Sequence, residues 1–272
     1  MTTLFRIKFI ALTLFTAGTL SLRADIISGS YTNDCTSLVK LWDVSGTYNS
    51  TNEDQGETET EEIILNMDAT GAITGSGHFD IVDPADDSTL SADFIASGKV
   101  SSAGSVTRVK LVFVSNSGTG QVQGRDVTFS TKLNTNFEID DTSRMLIGKS
   151  SGKIKVTIPS LGVTKSRPVP SSPAAENLPD EVDGAWGLSL TAAPDGTKYS
   201  GGSTLTLSNG RSFDLGVAGT YSSKTDLSKI SLKNTDKSAP TALSLVEQNI
   251  GNTLSVLSIK GKALGQKLNF KQ

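Results

Sequence analysis

Ile63-Ile64-Leu65-Asn66-Met67-Asp68-Ala69-Thr70-Gly71-Ala72-Ile73-Thr74-Gly75 carries the clearest structural signal in the chain. Two short runs of alternating apolar and polar residues flank a turn that ends in glycine, the pattern of two antiparallel strands joined as a hairpin. The same signal returns at Leu205-Thr206-Leu207, Ser208-Asn209-Gly210 and Arg211-Ser212-Phe213-Asp214-Leu215. There the Asn-Gly pair predicts a type I′ turn, because both central residues of that turn need positive φ.

Working outward, each hairpin follows a Trp near a glycine: Leu41-Trp42-Asp43-Val44-Ser45-Gly46 in one half and Gly184-Ala185-Trp186-Gly187 in the other. Further parallels keep the same order. Ala96–Ser102 matches Ala218–Ser223, Val106–Leu111 matches Leu227–Leu232, and Leu146–Ile154 matches Leu257–Gly265. An ordered series of matches points to an internal duplication, with Trp42 and Trp186 in corresponding first strands. Helical periodicity does not extend beyond two turns anywhere, whereas short alternating runs between turn residues recur throughout. The fold class is therefore all-β, with two tandem antiparallel units, of about seven or eight short strands in the first and about seven in the second, as meander barrels or sandwiches. A glycine and Trp ahead of a strand meander resembles the opening of lipocalin-like barrels. The resemblance covers one short motif per unit, lacks the family's later arginine and loop motifs, and implies closed barrels as the favoured form.

Four of the chain's eight prolines fall between Pro168 and Pro179. Proline has no amide donor and a fixed φ, so residues 167–182 are expected to form an extended linker outside any sheet. The resulting division is a signal peptide at 1–24, an irregular lead-in at 25–37, a first domain at 38–166, the linker, and a second domain at 183–272. The signal peptide rests on Arg6 and Lys8, the apolar run Phe9–Leu20, and a small residue, Ala24, before the expected cut. The run is shorter than the roughly 20 residues a spanning helix needs. Export places the protein outside the cytoplasm.

Loss of Arg6, Lys8 and Arg23 with the signal takes the formal charge from −3 to −6. A mildly acidic chain without a basic cluster argues against nucleic acid as a partner and against docking on an anionic membrane. Cys35 is the only cysteine, so no intramolecular disulfide is available, and packing must hold the exported chain together.

Chemistry-bearing motifs are sparse. His78 is the only histidine, set in an alternating strand as an outward polar residue, without the partners that general-base catalysis requires. One His and one Cys cannot supply a zinc site. Glu57, Glu59, Glu61 and Glu62 read as a solvated acidic loop. Asp80, Asp83, Asp86 and Asp87 miss calcium-loop spacing and read as turn chemistry. Gly201-Gly202-Ser203 lacks the lysine and helix of a phosphate loop. No catalytic residue, metal ligand or cofactor is nominated, and the ligand-binding residues are left unknown. Trp42 and Trp186 read as structural plugs ahead of ligand platforms. The function expected is non-catalytic binding of a small ligand, a glycan or a surface partner. A structural spacer is the alternative, and a hydrolase using carboxylates is the remaining one.

Overall fold

The computed structural model describes residues 29–34, 40–54, 56–85, 87–103, 106–140, 142–178, 180–192, 197–207, 209–234, 242–250 and 253–272. The expected signal peptide and Cys35 lie outside them. The described residues are all-β, with seventeen strands and one 3₁₀ turn at Pro159–Leu161 among them. In chain order the strands are β1 (Gly29–Asp34), β2 (Lys40–Asp43), β3 (Gly46–Asp54), β4 (Glu57–Met67), β5 (Ala72–Asp83) and β6 (Ser88–Ala103). There follow β7 (Val106–Val122), β8 (Arg125–Asp140), β9 (Met145–Ile158), β10 (Val163–Asn177), β11 (Asp180–Ala192) and β12 (Lys198–Leu207). The last five are β13 (Ser212–Ser222), β14 (Leu227–Asn234), β15 (Ala242–Ile250), β16 (Thr253–Ala263) and β17 (Gln266–Lys271).

They form two antiparallel sheets. Strands β3 to β10 make an eight-stranded up-and-down meander. Strands β11 to β17 make a second meander, which becomes nine-stranded because β1 and β2 both pair with β11. The chain thus starts on the second sheet, builds the first, and returns. Residues 29–34, expected to be irregular, are a strand whose partners run from Leu190 to Ala185.

Neither sheet closes into a barrel, which corrects the lipocalin-like expectation. The proline-rich stretch supplies the physical reason in the first sheet. It is not a linker: Ser166 to Pro173 runs inside β10, paired with β9 from Lys155 to Lys149. A one-residue bulge between Val169 and Ser172 takes up Pro170 and Ser171, so Pro168 and Pro173 keep the same parity toward β9. Proline fits a ladder only where its missing amide faces an open edge. At Pro168 and Pro173 that edge lacks donors that closure on β3 would use. In the second sheet, β1 and β2 occupy the edge that β17 would have to reach.

The hairpin turns are alike in the two sheets, but not of the expected type. Gly71 N–H donates to Asp68 O at 3.0 Å and Asp68 N–H to Ala72 O at 2.9 Å. Gly210 and Leu207 repeat these bonds with Leu207 and Arg211, at 3.0 and 2.8 Å. Among the described residues of these turns only the glycines have positive φ, +81° and +86°, so Asn209-Gly210 carries a left-handed glycine without the paired positive φ of a type I′ turn. The two-residue turns with paired positive φ are Gln123-Gly124 and Leu264-Gly265. The order of sequence parallels also shifts by one strand. Ala96–Ser102 lies in β6, the strand after the hairpin, whereas Ala218–Ser222 lies in β13, within it. Trp42 is not in the eight-stranded sheet: β2 places it opposite Glu181 of β11, the strand that carries Trp186.

Buried apolar residues of both sheets make one contiguous cluster, from Leu41, Trp42 and Leu65 to Leu205, Leu245 and Leu268. Polar contacts anchor β2 to the other strands of the nine-stranded sheet, and Arg211 carries one of them across to Met67 of the eight-stranded sheet. The Gln266 amide brackets Trp42, accepting from its N–H at 2.9 Å and donating to its O at 2.7 Å. Arg211 reaches from the β12–β13 turn to Asp43 at 2.6 Å, and further to Ser45 Oγ and Met67 O. Asn209 donates to the same Asp43 oxygen at 2.8 Å. The Asp43 carboxyl has no solvent exposure. Burial alone would raise its pKa, but the bonds from Arg211, Ser45 and Asn209 outweigh it and hold the pKa below the ordinary value.

Candidate ligand-binding site

One face of the eight-stranded sheet bends around a cavity of about 190 Å³ whose lining draws on every strand from β3 to β10. The bending has a local cause: bulges interrupt the β6–β7 register between Ser91 and Ile95, and the β7–β8 register between Ser115 and Gly118. Alternation does the rest. In β4 the odd positions Ile63, Leu65 and Met67 are buried, and in β6 the even positions Phe94, Ala96 and Val100 are. Gly77 faces Phe94 from β5. A Cβ there would stand 2.4 Å from the Phe94 ring, so the glycine makes space for that ring. Phe94 meets Phe113 edge to face with centroids 5.5 Å apart, and Phe79 lies 6.3 Å from Phe94. These rings and Phe137 give the cavity an aromatic wall.

The polar part of the lining is acidic. Glu59 and Glu61 continue the odd register of Ile63, Leu65 and Met67, so the segment expected to be an acidic loop is a strand whose alternate carboxylates point into the cavity. Glu62, at the even position, faces the other side of the sheet. Glu176 joins Glu59 and Glu61 from β10, at the far end of the meander. Burial first, then repulsion from Glu176 and Glu59, pushes Glu61 up to about 7. Burial raises Glu176 as well. Tyr48 stands beside them, its hydroxyl donating to Val44 O at 3.0 Å, and burial followed by the charges of Asp43 and Glu176 raises its pKa. Glu59 and Glu61 read as loop in the sequence because glutamate is a poor strand former, and Glu176 falls in the proline-rich stretch expected to be a linker. The available signal was the register: Glu59 and Glu61 keep step with the apolar positions that follow.

His78 lies on the opposite, outer face, as its alternation predicts. Its Nδ1 stands 2.7 Å from Asp93 and its Nε2 3.1 Å from Asp80, with Ser91 Oγ at 3.3 Å. The Asp93 bond, assisted by Asp80, raises the imidazole pKa. Ser91 hydrogen-bonds Asp80 and lowers its pKa. Two carboxylates flanking one ring favour the imidazolium, the form that cannot accept a proton from a serine. Asp83 accepts from Ala85 N–H at 2.9 Å as turn chemistry, and Asp86 lies outside the described residues. Gly201 and Gly202 are paired strand residues of β12. Trp42 is buried at the joint between the sheets, away from the cavity lining. Trp186 is a strand position opposite Asn33 and Leu205.

Among the described residues, no three His, Cys, Asp or Glu side chains are placed to hold a metal ion. Among the same residues, no helix is long and apolar enough to cross a membrane. No protein-family model, curated protein or solved structure matches this chain.

Proposed function

We propose that this is an exported, non-catalytic binding protein whose site is the cavity of the eight-stranded sheet. The observation that carries the reading is an apolar, aromatic-walled space of about 190 Å³ into which a few polar groups converge. Small-molecule sites have that composition. A dry cavity of about 150 Å³ accepts benzene, so this one suits a single ring with a short substituent. The narrow lining favours such a ligand over a glycan, and an open space inside the sheet favours binding over a spacer role. Export rests on the sequence alone, through the basic start, the short apolar run and Ala24.

Calorimetric titration with benzyl-sized compounds, neutral and charged, tests the reading, alongside Leu133→Trp to fill the cavity from β8. At least one compound is expected to bind with one-to-one stoichiometry and to lose its binding in Leu133→Trp. Circular dichroism confirms that the variant folds. Binding by none of the compounds, or unchanged binding in a folded Leu133→Trp, overturns it.

A further inference from the structure

We propose that the ligand of this cavity is a small apolar organic cation, a primary amine on a single ring, held through its ammonium group by Glu59, Glu61 and Glu176. The inference rests on the cavity being the binding site, and it adds the ligand's charge. Three observations carry it. First, the polar end of the lining gathers three carboxylates from the two ends of the meander, and no lysine or arginine lines the cavity. Second, among the described residues neither the Glu61 nor the Glu176 carboxyl group has a hydrogen bond or ion pair. Their surroundings act on them only through burial and, for Glu61, repulsion from the other acids. Half-buried carboxylates without a counter-charge are costly, and a cation entering between them removes that cost. Third, the carboxylates are not grouped tightly enough for a metal ion among the described residues. An ammonium fits the wider spacing, because it offers three donors that can diverge to separate acceptors.

The apolar part of the lining agrees with the charge. Phe79, Phe94, Phe113 and Phe137 present ring surfaces to the space beside the acids, and a cation is attracted to an aromatic face. A ring bearing an aminomethyl group would place its body against the phenylalanines and its charge at the glutamates. An anion of the same size would face repulsion from all three acids, and a neutral alcohol would gain neither effect.

Three probes of one shape separate the charge from the cavity: benzylammonium, benzyl alcohol and benzoate, titrated into the full protein at pH 8, where Glu61 is ionised. Benzylammonium is expected to bind at least tenfold more tightly than benzyl alcohol, and benzoate not measurably. Glu61→Gln with Glu176→Gln should weaken benzylammonium at least tenfold while leaving benzyl alcohol within twofold. Equal binding of benzylammonium and benzyl alcohol, or a benzylammonium affinity unaffected by the double substitution, overturns the cation and leaves the cavity reading standing. Failure of all three probes overturns the cavity reading itself. Should the double variant fail to fold, the single Glu176→Gln, on the edge strand β10, is the substitute, with a threefold loss expected and none refuting.

Discussion

Replacing Arg211 with Met removes the cation that, among the described residues, reaches the sealed Asp43, and leaves the carboxylate with the Asn209 amide and the Ser45 N–H and hydroxyl. Asp43 has no exposure, so water cannot take the place of the guanidinium. Breaking a buried pair from one side costs about 3–5 kcal/mol. The remaining donors from Asn209 and Ser45 put the expectation near the lower end, about 3 kcal/mol, a large fraction of the stability of a typical domain. The pH dependence gives a sharper reading than the size. In the parent protein the folded-state pKa of Asp43 is depressed below its ordinary 3.8. Its contribution is therefore present above that value and is lost as pH falls through the folded pKa. Without Arg211, burial dominates and raises the folded pKa above 3.8. The contribution then changes sign: the variant gains stability relative to the parent as pH falls toward 3.8. Urea unfolding followed by tryptophan fluorescence at pH 7.5 and pH 5 measures both quantities. Asp43→Asn in the Arg211→Met background should recover much of the loss, because a neutral amide needs no counter-charge. A variant within about 0.5 kcal/mol of the parent, the range of ordinary surface changes, with an unchanged pH response, would refute the claim that this pair anchors β2 to the β12–β13 turn.

Other consequences are testable together. Glu247, on β15, is fully buried and its pKa is raised by burial to about 7 from an ordinary 4.5. The folded state therefore keeps its proton longer than the unfolded chain, and stability falls by about 3 kcal/mol as pH rises from 4.5 through 7. Glu247→Gln should flatten that decline in thermal unfolding curves, and an unchanged slope would mean that the carboxyl is solvated. Gly71 and Gly210 occupy the same place in matching turns, yet a Cβ on Gly71 would stand 2.7 Å from Leu264 O, whereas one on Gly210 meets nothing within 4 Å. Gly210→Ala should thus cost about 1 kcal/mol for its left-handed backbone alone, and Gly71→Ala distinctly more. Equal losses in denaturant titrations would show that the β16–β17 hairpin does not dock there. Limited proteolysis should spare residues 166–177, because their backbone is paired with β9. Early cleavage within that stretch would restore the linker reading.

The fold class was legible because hairpins are local: Ile63 to Gly75 carries both its strands and its turn within a few residues. Turn type was less so, since Asn209-Gly210 tolerates several conformations and the neighbouring register chooses among them. Pro168 and Pro173 misled because proline excludes only one side of a strand, and sequence does not say which side faces an open edge. The pairing of β1 and β2 with β11 joins residues some 140–160 positions apart, which no local pattern records. The cavity was hidden for a related reason. Glu61 and Glu176 meet only because the meander bends its two ends toward one space, and the bending depends on bulges that leave no fixed signature.

The central claim, that the cavity is the binding site, is tested most directly by nuclear magnetic resonance of protein labelled at its phenylalanine rings, titrated with benzylammonium. Phe79, Phe94, Phe113 and Phe137, from four different strands of the first sheet, are expected to shift together and saturate at one equivalent. Phe213 and Phe270, on the second sheet, should stay in place. No saturable shift in the first group, or comparable shifts in both, would contradict it.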